Sequence, residues 1–310
     1  MNAEGVLKKA ETWRVSSRLV TQAKEKLIES MLLLAALTSV AITLGIVGIL
    51  AYESASFFRQ VSLWEFLTDR QWTPLFSEPH YGILPLVSGT LVTTGVALAL
   101  AVPMGSLIAI YLSEYASRGT REAVKPALEL LSAVPTVVYG YFALLFVTPA
   151  LQKLWPQLPG FNMLSAGLVI GVMIVPYVSS VSEDAMHAVP LYLREGAFAL
   201  GATRMQTALR VVFPSALSGI TAAYVLGISR AIGETMVVAI AAGMQPTLTW
   251  NPLEPAATMT AYIVQVSLGD LPHGSIGYQT IFATGLTLLL MTLMFNIAGH
   301  VLKKRYRQVY

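Results

Sequence analysis

Residues 216–244 read "ALSGITAAYVLGISRAIGETMVVAIAAGM", apolar throughout apart from Arg230 and Glu234. A run of this length is what crossing a bilayer requires, because about 20 residues at 1.5 Å each traverse about 30 Å of hydrocarbon. Four residues apart, the two charges would share one face of such a helix. Arg230 would then lie roughly 20 Å from either end of the span. An isolated arginine at that depth costs about 2.5–3.5 kcal/mol on insertion scales. An opposite charge about 4 Å away returns on the order of 4 kcal/mol at an effective dielectric of about 20. The two quantities are comparable, so the pair is tolerated but adds little stability, and two leucines would serve a packed position better.

The rest of the chain has the same character. It has 310 residues, 55% hydrophobic and only 12% charged, about half the charge of an ordinary soluble domain. Six spans are predicted: Met31–Ala51, Gly82–Leu112 with Pro103 inside, Pro126–Pro149 interrupted by Pro135, Phe161–Val181 with Pro176 near its end, Ser215–Gly243 and Gly277–Leu302. Internal prolines are tolerable where neighbouring helices satisfy the freed carbonyls. The expected fold is an all-α polytopic membrane protein. Its expected parts are a tail (1–30), a first span (31–52), an outward loop (53–81), a five-span core (82–302) with a long loop at 183–214, and a basic tail (303–310).

Lysine and arginine set the expected orientation. The N-terminal tail carries Lys8, Lys9, Arg14, Arg18, Lys24 and Lys26, and the C-terminal tail Lys303, Lys304, Arg305 and Arg307. The second-to-third and fourth-to-fifth connections add Arg118, Arg121, Lys125, Arg194, Arg204 and Arg210. Only Arg59, Arg70 and Lys153 fall on the opposite side. Both termini are therefore expected in the cytoplasm. Met31–Ala51 reads as a retained anchor, being longer than the usual signal-peptide core of about 7–15 residues. The outward loop is dense in aromatics (Phe57, Phe58, Trp64, Phe66, Trp72, Phe76). Either it lies along the headgroups or it packs on itself. The loop Met244–Ser275, with Pro246, Pro252, Pro255 and Pro272, is expected to be turn-rich rather than spanning.

Several chemistries are excluded. There is no cysteine, hence no disulfide, thiolate site or cysteine nucleophile. His80, His187, His273 and His300 have no ligand-like spacing, and the spans show no nucleophile–base set. The dipeptide Gly-Lys never occurs, so the chain carries no phosphate-cradling P-loop. An enzyme is not expected. In the third span Ser132, Thr136 and Tyr139 could line a path or simply pack, and Glu129 reads as an interface residue.

The loop "REGAFALGATRMQTALRVVFPSAL" (194–217) predicts a helix from Pro190 to Leu200, a break at Gly201, and a second helix opened by a Thr203–Gln206 capping box. Glu195, Ala197, Gly201, Val211, Phe213 and Pro214 resemble the signature loop of ABC importer permeases, with Gly196 where many members have alanine. In that family the loop is a coupling helix that docks on a separate ATPase subunit. The resemblance thus assigns Glu195, Gly196, Ala197, Gly201 and Pro214 to ATPase coupling.

"YGILPLVSGTL" (81–91), "AIYLSEYA" (109–116), "ELLSAVPTVVYG" (129–140), "SRAIGETM" (229–236) and "GDLPHGSIGYQTIFATGLTL" (269–288) are similar to the PstC phosphate permeases. The sister PstA subunits share the Arg-Ala-x-Gly-Glu-Thr core but usually continue Ala-Pro-Leu, where this chain has Met236-Val237-Val238. The resemblance implies a type I ABC importer permease fold and inorganic phosphate as substrate. It implies as partners a PstA-like permease, PstB-like ATPase subunits and a PstS-like extracytoplasmic binding protein in the bacterial inner membrane. No cofactor is expected on this chain, since ATP and Mg would sit on the ATPase subunits. In that setting Arg230 is expected to meet the anion, because its planar donor fork matches phosphate oxygens and stays protonated. Glu234 is expected to neutralise Arg230 between cycles, and Thr235 to donate to the anion or bond the carbonyl four residues back. The alternatives are an ion pair that pins two helices, a permease for another oxyanion, and a self-sufficient secondary transporter.

Overall fold

The computed structural model describes residues 3–305, with the side chains of 3–20, 23 and 305 outside that description. Of the tails expected at the two ends, residues 1–2 and 306–310 lie outside the described residues. The chain forms two compact units, Met1–Tyr52 and Glu53–Tyr310.

The first unit is the bulk of one long helix, α1 (Ala3–Phe58). Its apolar stretch has no core of its own, and every described side chain from 21 to 49 is exposed. Ser30, Thr38 and Thr43 each donate to the carbonyl four residues back. Those hydroxyls are thereby satisfied within the helix, the arrangement hydrocarbon demands.

The second unit opens with α2 (Leu63–Thr68) and the outward loop. Phe57, Phe66, Trp72 and Tyr81 are buried in one cluster with Tyr262. Their rings meet edge-on at 5.1–6.2 Å, the favoured aromatic geometry. The loop therefore packs on itself and on the core, and only Trp64 and Phe76, 76% and 70% exposed, point away.

Around α7 (Met163–His187) the main helices assemble. It is the central helix: 67% of its most apolar window is buried, against 28% for α3 (Leu84–Ile110) and 11% for α14 (Ile276–Arg305). Ala97 and Ala101 of α3 meet Ile170, Met173 and Ile174 of α7 in the main core. Small residues on α3 let the two backbones approach closely.

The third expected span is interrupted at Pro135 as expected, but begins earlier and bends sharply there. From Arg118 rather than Pro126, the chain makes α4 (Arg118–Ala133), turns by 86°, and continues as α5 (Thr136–Phe142), a π turn and α6 (Thr148–Gln152). Pro135 causes the turn, since a proline removes the preceding residue from helical geometry, and Val134 is extended at ψ 130°. Ser132 and Tyr139 consequently do not share a stripe. The Tyr139 hydroxyl instead donates to the Leu131 carbonyl across the elbow at 2.6 Å.

The loop at 183–214 follows expectation closely. Helix α8 (Leu191–Ala199) ends before Gly201, whose φ of +80° lies in the left-handed region that glycine enters freely. Thr203 and Gln206 form the reciprocal capping box at the start of α9 (Arg204–Thr207). A π turn and the three-residue α10 (Phe213–Ser215) lead into α11 (Leu217–Ile232) through a 74° bend. The fifth expected span is corrected: helix stops at Ile232 and restarts as α12 (Met236–Ala241). The turn-rich segment 244–275 contains an unexpected buried helix, α13 (Met259–Ser267), N-capped by Thr258. Four described helices are long and apolar enough to cross a membrane, or six if each bent pair counts once.

In the outward loop, burial raises the Asp69 carboxyl, but the His80 ring at 2.9 Å and the amides of Gln71 and Arg70 outweigh it. The net position lies below the ordinary 3.8. A carboxylate depressed by folding contributes stability above its unfolded pKa and loses it as pH falls through the folded value. The thermal midpoint of the purified protein should therefore fall on acidification below 3.8, and Asp69→Asn should be less stable at pH 7 but lose less over that window. An identical acid slope in the variant would contradict this.

Candidate functional site: a broken span and its two charges

Arg230 and Glu234 make no ion pair, which corrects the expectation of paired charges on one continuous helix. The helix breaks between them. Arg230 occupies the last turn of α11, whose C-cap is Gly233, and Glu234 stands just before α12. The exposed carbonyls ending a helix carry partial negative charge, and the free amides starting one carry partial positive charge. Each charged side chain is thus placed at the helix end of opposite sign. Glu234 is buried, 6% exposed. Its Oε1 accepts from the amides of Met236 at 3.2 Å and Val237 at 3.4 Å.

Arg230 lies differently. Its guanidinium carbon sits 4.8 Å from the centroid of the Tyr177 ring on α7. Nε is enclosed without a hydrogen-bond partner. The side chain as a whole is only half-buried, and neither terminal nitrogen is among the enclosed atoms that lack a partner. Among the described residues no carboxylate is paired with it. The neighbouring Ser229 hydroxyl donates to Asn296 of α14 at 3.1 Å. Thr235 donates to the Gly233 carbonyl at 3.2 Å rather than to the carbonyl four residues back.

The break is held from the segment 244–275. Thr260 of α13 donates to the Glu234 backbone carbonyl at 2.7 Å, and Thr90 of α3 accepts from the Met259 amide at 3.0 Å. On the other side α12 packs on α5 at Gly140, where an added Cβ would come within 2.8 Å of Ile240. Only glycine permits that approach. The sequence contained one signal for this arrangement: Gly233-Glu234-Thr235 is a stop-and-start triplet inside an apolar run.

The coupling-type residues lie together at the other candidate surface. Glu195, Gly196, Gly201 and Pro214 are exposed and Ala197 is half-buried. Helix α8 buries none of its residues, while Leu191, Tyr192 and Leu200 stand 64%, 61% and 92% exposed. Leu193, Ala197, Leu200, Gly201 and Arg210 line one cleft there.

Two ionic anchors missed in the sequence fix this surface. Arg194 donates to Glu114 at 3.0 Å, at the end of α3, and to the Met186 carbonyl at 2.8 Å. The two side chains are 12% and 8% exposed. Glu183 of α7 is fully buried and ion-paired to Arg121 and Lys125 of α4, with Lys125 also 2.6 Å from Asp184. Helix α4 buries no residue, so these pairs rather than apolar packing hold it to α7. Removing one partner of a buried pair leaves an uncompensated charge. Glu114→Ala should therefore lower stability by about 3–5 kcal/mol, seen as a lower thermal midpoint, whereas exposed Glu122→Ala should change little. Equal effects would show that burial is not what makes the Glu114 contact matter.

Residues 101–308 match the family described as binding-protein-dependent transport system inner membrane component. The chain is 33% identical over 306 residues to the probable ABC transporter permease protein YqgH of Bacillus subtilis, covering 95% of this chain and 97% of that one. It is 32% identical to the phosphate transport system permease protein PstC of Mesorhizobium japonicum, covering 77% and 78%. Against PstC 1 of Mycobacterium bovis the identity is 34%, covering 73% of each chain. Among solved structures, the fold is shared with a bacterial ABC transporter involved in alginate import. That match has a TM-score of 0.65 at 20% identity, over 94% of this chain and all of that one. The MetNI methionine ABC transporter gives 0.54 at 18% identity, over 73% and 95%. The chain belongs to the binding-protein-dependent inner-membrane permeases of ABC importers, as a PstC-like, multi-pass member.

Proposed function

We propose that this permease carries inorganic phosphate inward across the cytoplasmic membrane, with Arg230 as the residue that meets the anion. The observation that carries the reading is the state of Arg230: a half-buried guanidinium inside the fifth span, with no carboxylate paired to it among the described residues. A permanently charged donor fork held in that state has its hydrogen-bonding capacity free for an oxyanion. Glu234 shapes the same place by capping α12, and Thr235 adjoins it. Similarity to PstC permeases supports phosphate over other oxyanions.

The basic loops and both termini face the cytoplasm in this reading, following the lysine and arginine asymmetry. The exposed surface of α8 from Glu195, through Gly201 after its end, is then the contact for PstB-like ATPase subunits, which supply ATP and Mg chemistry that this chain has no motif to bind. A PstA-like permease completes the pathway, and a PstS-like binding protein delivers phosphate from outside.

Arg230→Gln should abolish ATP-dependent phosphate uptake in reconstituted vesicles while the subunits still co-purify. Uptake persisting at the normal rate would remove Arg230 from the pathway. Arsenate competing while sulfate does not would support phosphate specificity, and the reverse would favour another oxyanion.

A further inference from the structure

An arginine in the middle of a span needs somewhere to rest when no anion is present. The obvious seat, Glu234, is engaged with the α12 amides. The guanidinium lies instead over the face of Tyr177, 4.8 Å from its centroid. Tyr177 directly follows Pro176 within α7, the most buried helix, yet is itself only half-buried. Its hydroxyl makes no hydrogen bond to any described residue. What Tyr177 offers Arg230 is therefore the ring and not the phenol.

The strength of this contact suits a temporary seat. A cation over an aromatic face is held by the ring quadrupole, more weakly than by a carboxylate in the same surroundings. An arriving dianion can displace a ring, whereas it would have to compete on equal terms with a glutamate. A fixed seat also keeps the donor fork in one orientation, so less ordering is left to be done when the anion arrives.

We infer that Tyr177 is a positioning residue for anion passage: its ring seats the Arg230 guanidinium between transits and keeps it from pairing with a carboxylate. This rests on the reading of Arg230 as the anion-meeting residue. The ring contributes through its electron density, so its effect should follow that density and not its size.

The test replaces Tyr177 in the full transporter complex with phenylalanine and with mono-, di- and trifluorophenylalanine, which differ little in shape while the quadrupole weakens. Uptake of inorganic phosphate into proteoliposomes is read alongside the thermal midpoint. Taking Tyr177→Phe as the reference of the series, the trifluorinated ring should lose roughly tenfold in rate, with graded values between. The drop in thermal midpoint from Tyr177→Phe to the trifluorinated ring should vanish when Arg230→Gln is also present. A flat uptake series would overturn the proposal, as would a midpoint drop unchanged by Arg230→Gln. If Arg230→Gln abolishes uptake while the series is flat, only the role of Tyr177 fails. If Arg230→Gln leaves uptake intact, the anion-meeting reading fails, and this inference with it.

Discussion

Two opposite charges inside one apolar span are accommodated by cutting the helix between them. The last turn of α11 offers Arg230 the negative end of a helix, and the first amides of α12 offer Glu234 the positive end. Each terminus contributes on the order of 0.3–1 kcal/mol at exposed sites and up to about 2 when partly buried. That offsets part of the about 2.5–3.5 kcal/mol that insertion of the arginine costs on the lower scales. An ion pair on an unbroken helix would neutralise the charges equally well, but it would consume both. The break leaves the arginine's terminal nitrogens uncommitted, and an anion pathway needs that.

A break in a span has its own cost, because backbone groups freed in hydrocarbon must be satisfied. The segment after α12 meets it. Thr260 takes the Glu234 carbonyl, Asn162 donates its amide to Ala241, and Ala256 donates to Ala242. A side-chain bond from α13 therefore ties the break itself, and main-chain bonds from Asn162 and Ala256 tie the far end of α12. At the loop helix, Arg194–Glu114 and the Glu183 cluster fasten α8 and α4 to the turn that follows α3 and to α7. Rigid elements pinned at both ends are a physical means by which a push on α8 could reach the level of Arg230.

Much of this was legible in the residues. Hydropathy located the spans, and the spacing of Gly201, Thr203 and Gln206 gave the loop helix, its break and its capping box. Arg230 stood out because a lone charge in an apolar run is costly whatever the fold. The fifth span was misread as continuous because apolar composition shows that a segment is buried in lipid or protein but not that it is unbroken. Pro135 gave away the break in the third span, though not its angle, while Gly233-Glu234-Thr235 was a local signal that composition outweighed. Helix α13 was hidden because prolines at 246, 252 and 255 dominate the segment before it. The ionic anchors and the Tyr177 contact join positions 53 to 80 residues apart in sequence, and no local pattern encodes such pairings.

The most direct test uses the absence of cysteine from the chain. Thr235→Cys places a single thiol beside the break, and its modification is read by the mass of this subunit in the assembled transporter. An anionic sulfonate thiol reagent should react faster than a cationic reagent of matched reactivity, phosphate should slow it, and Arg230→Gln should erase the preference. A thiol that no aqueous reagent reaches during turnover, or one that favours the cation, would contradict an anion pathway at this break.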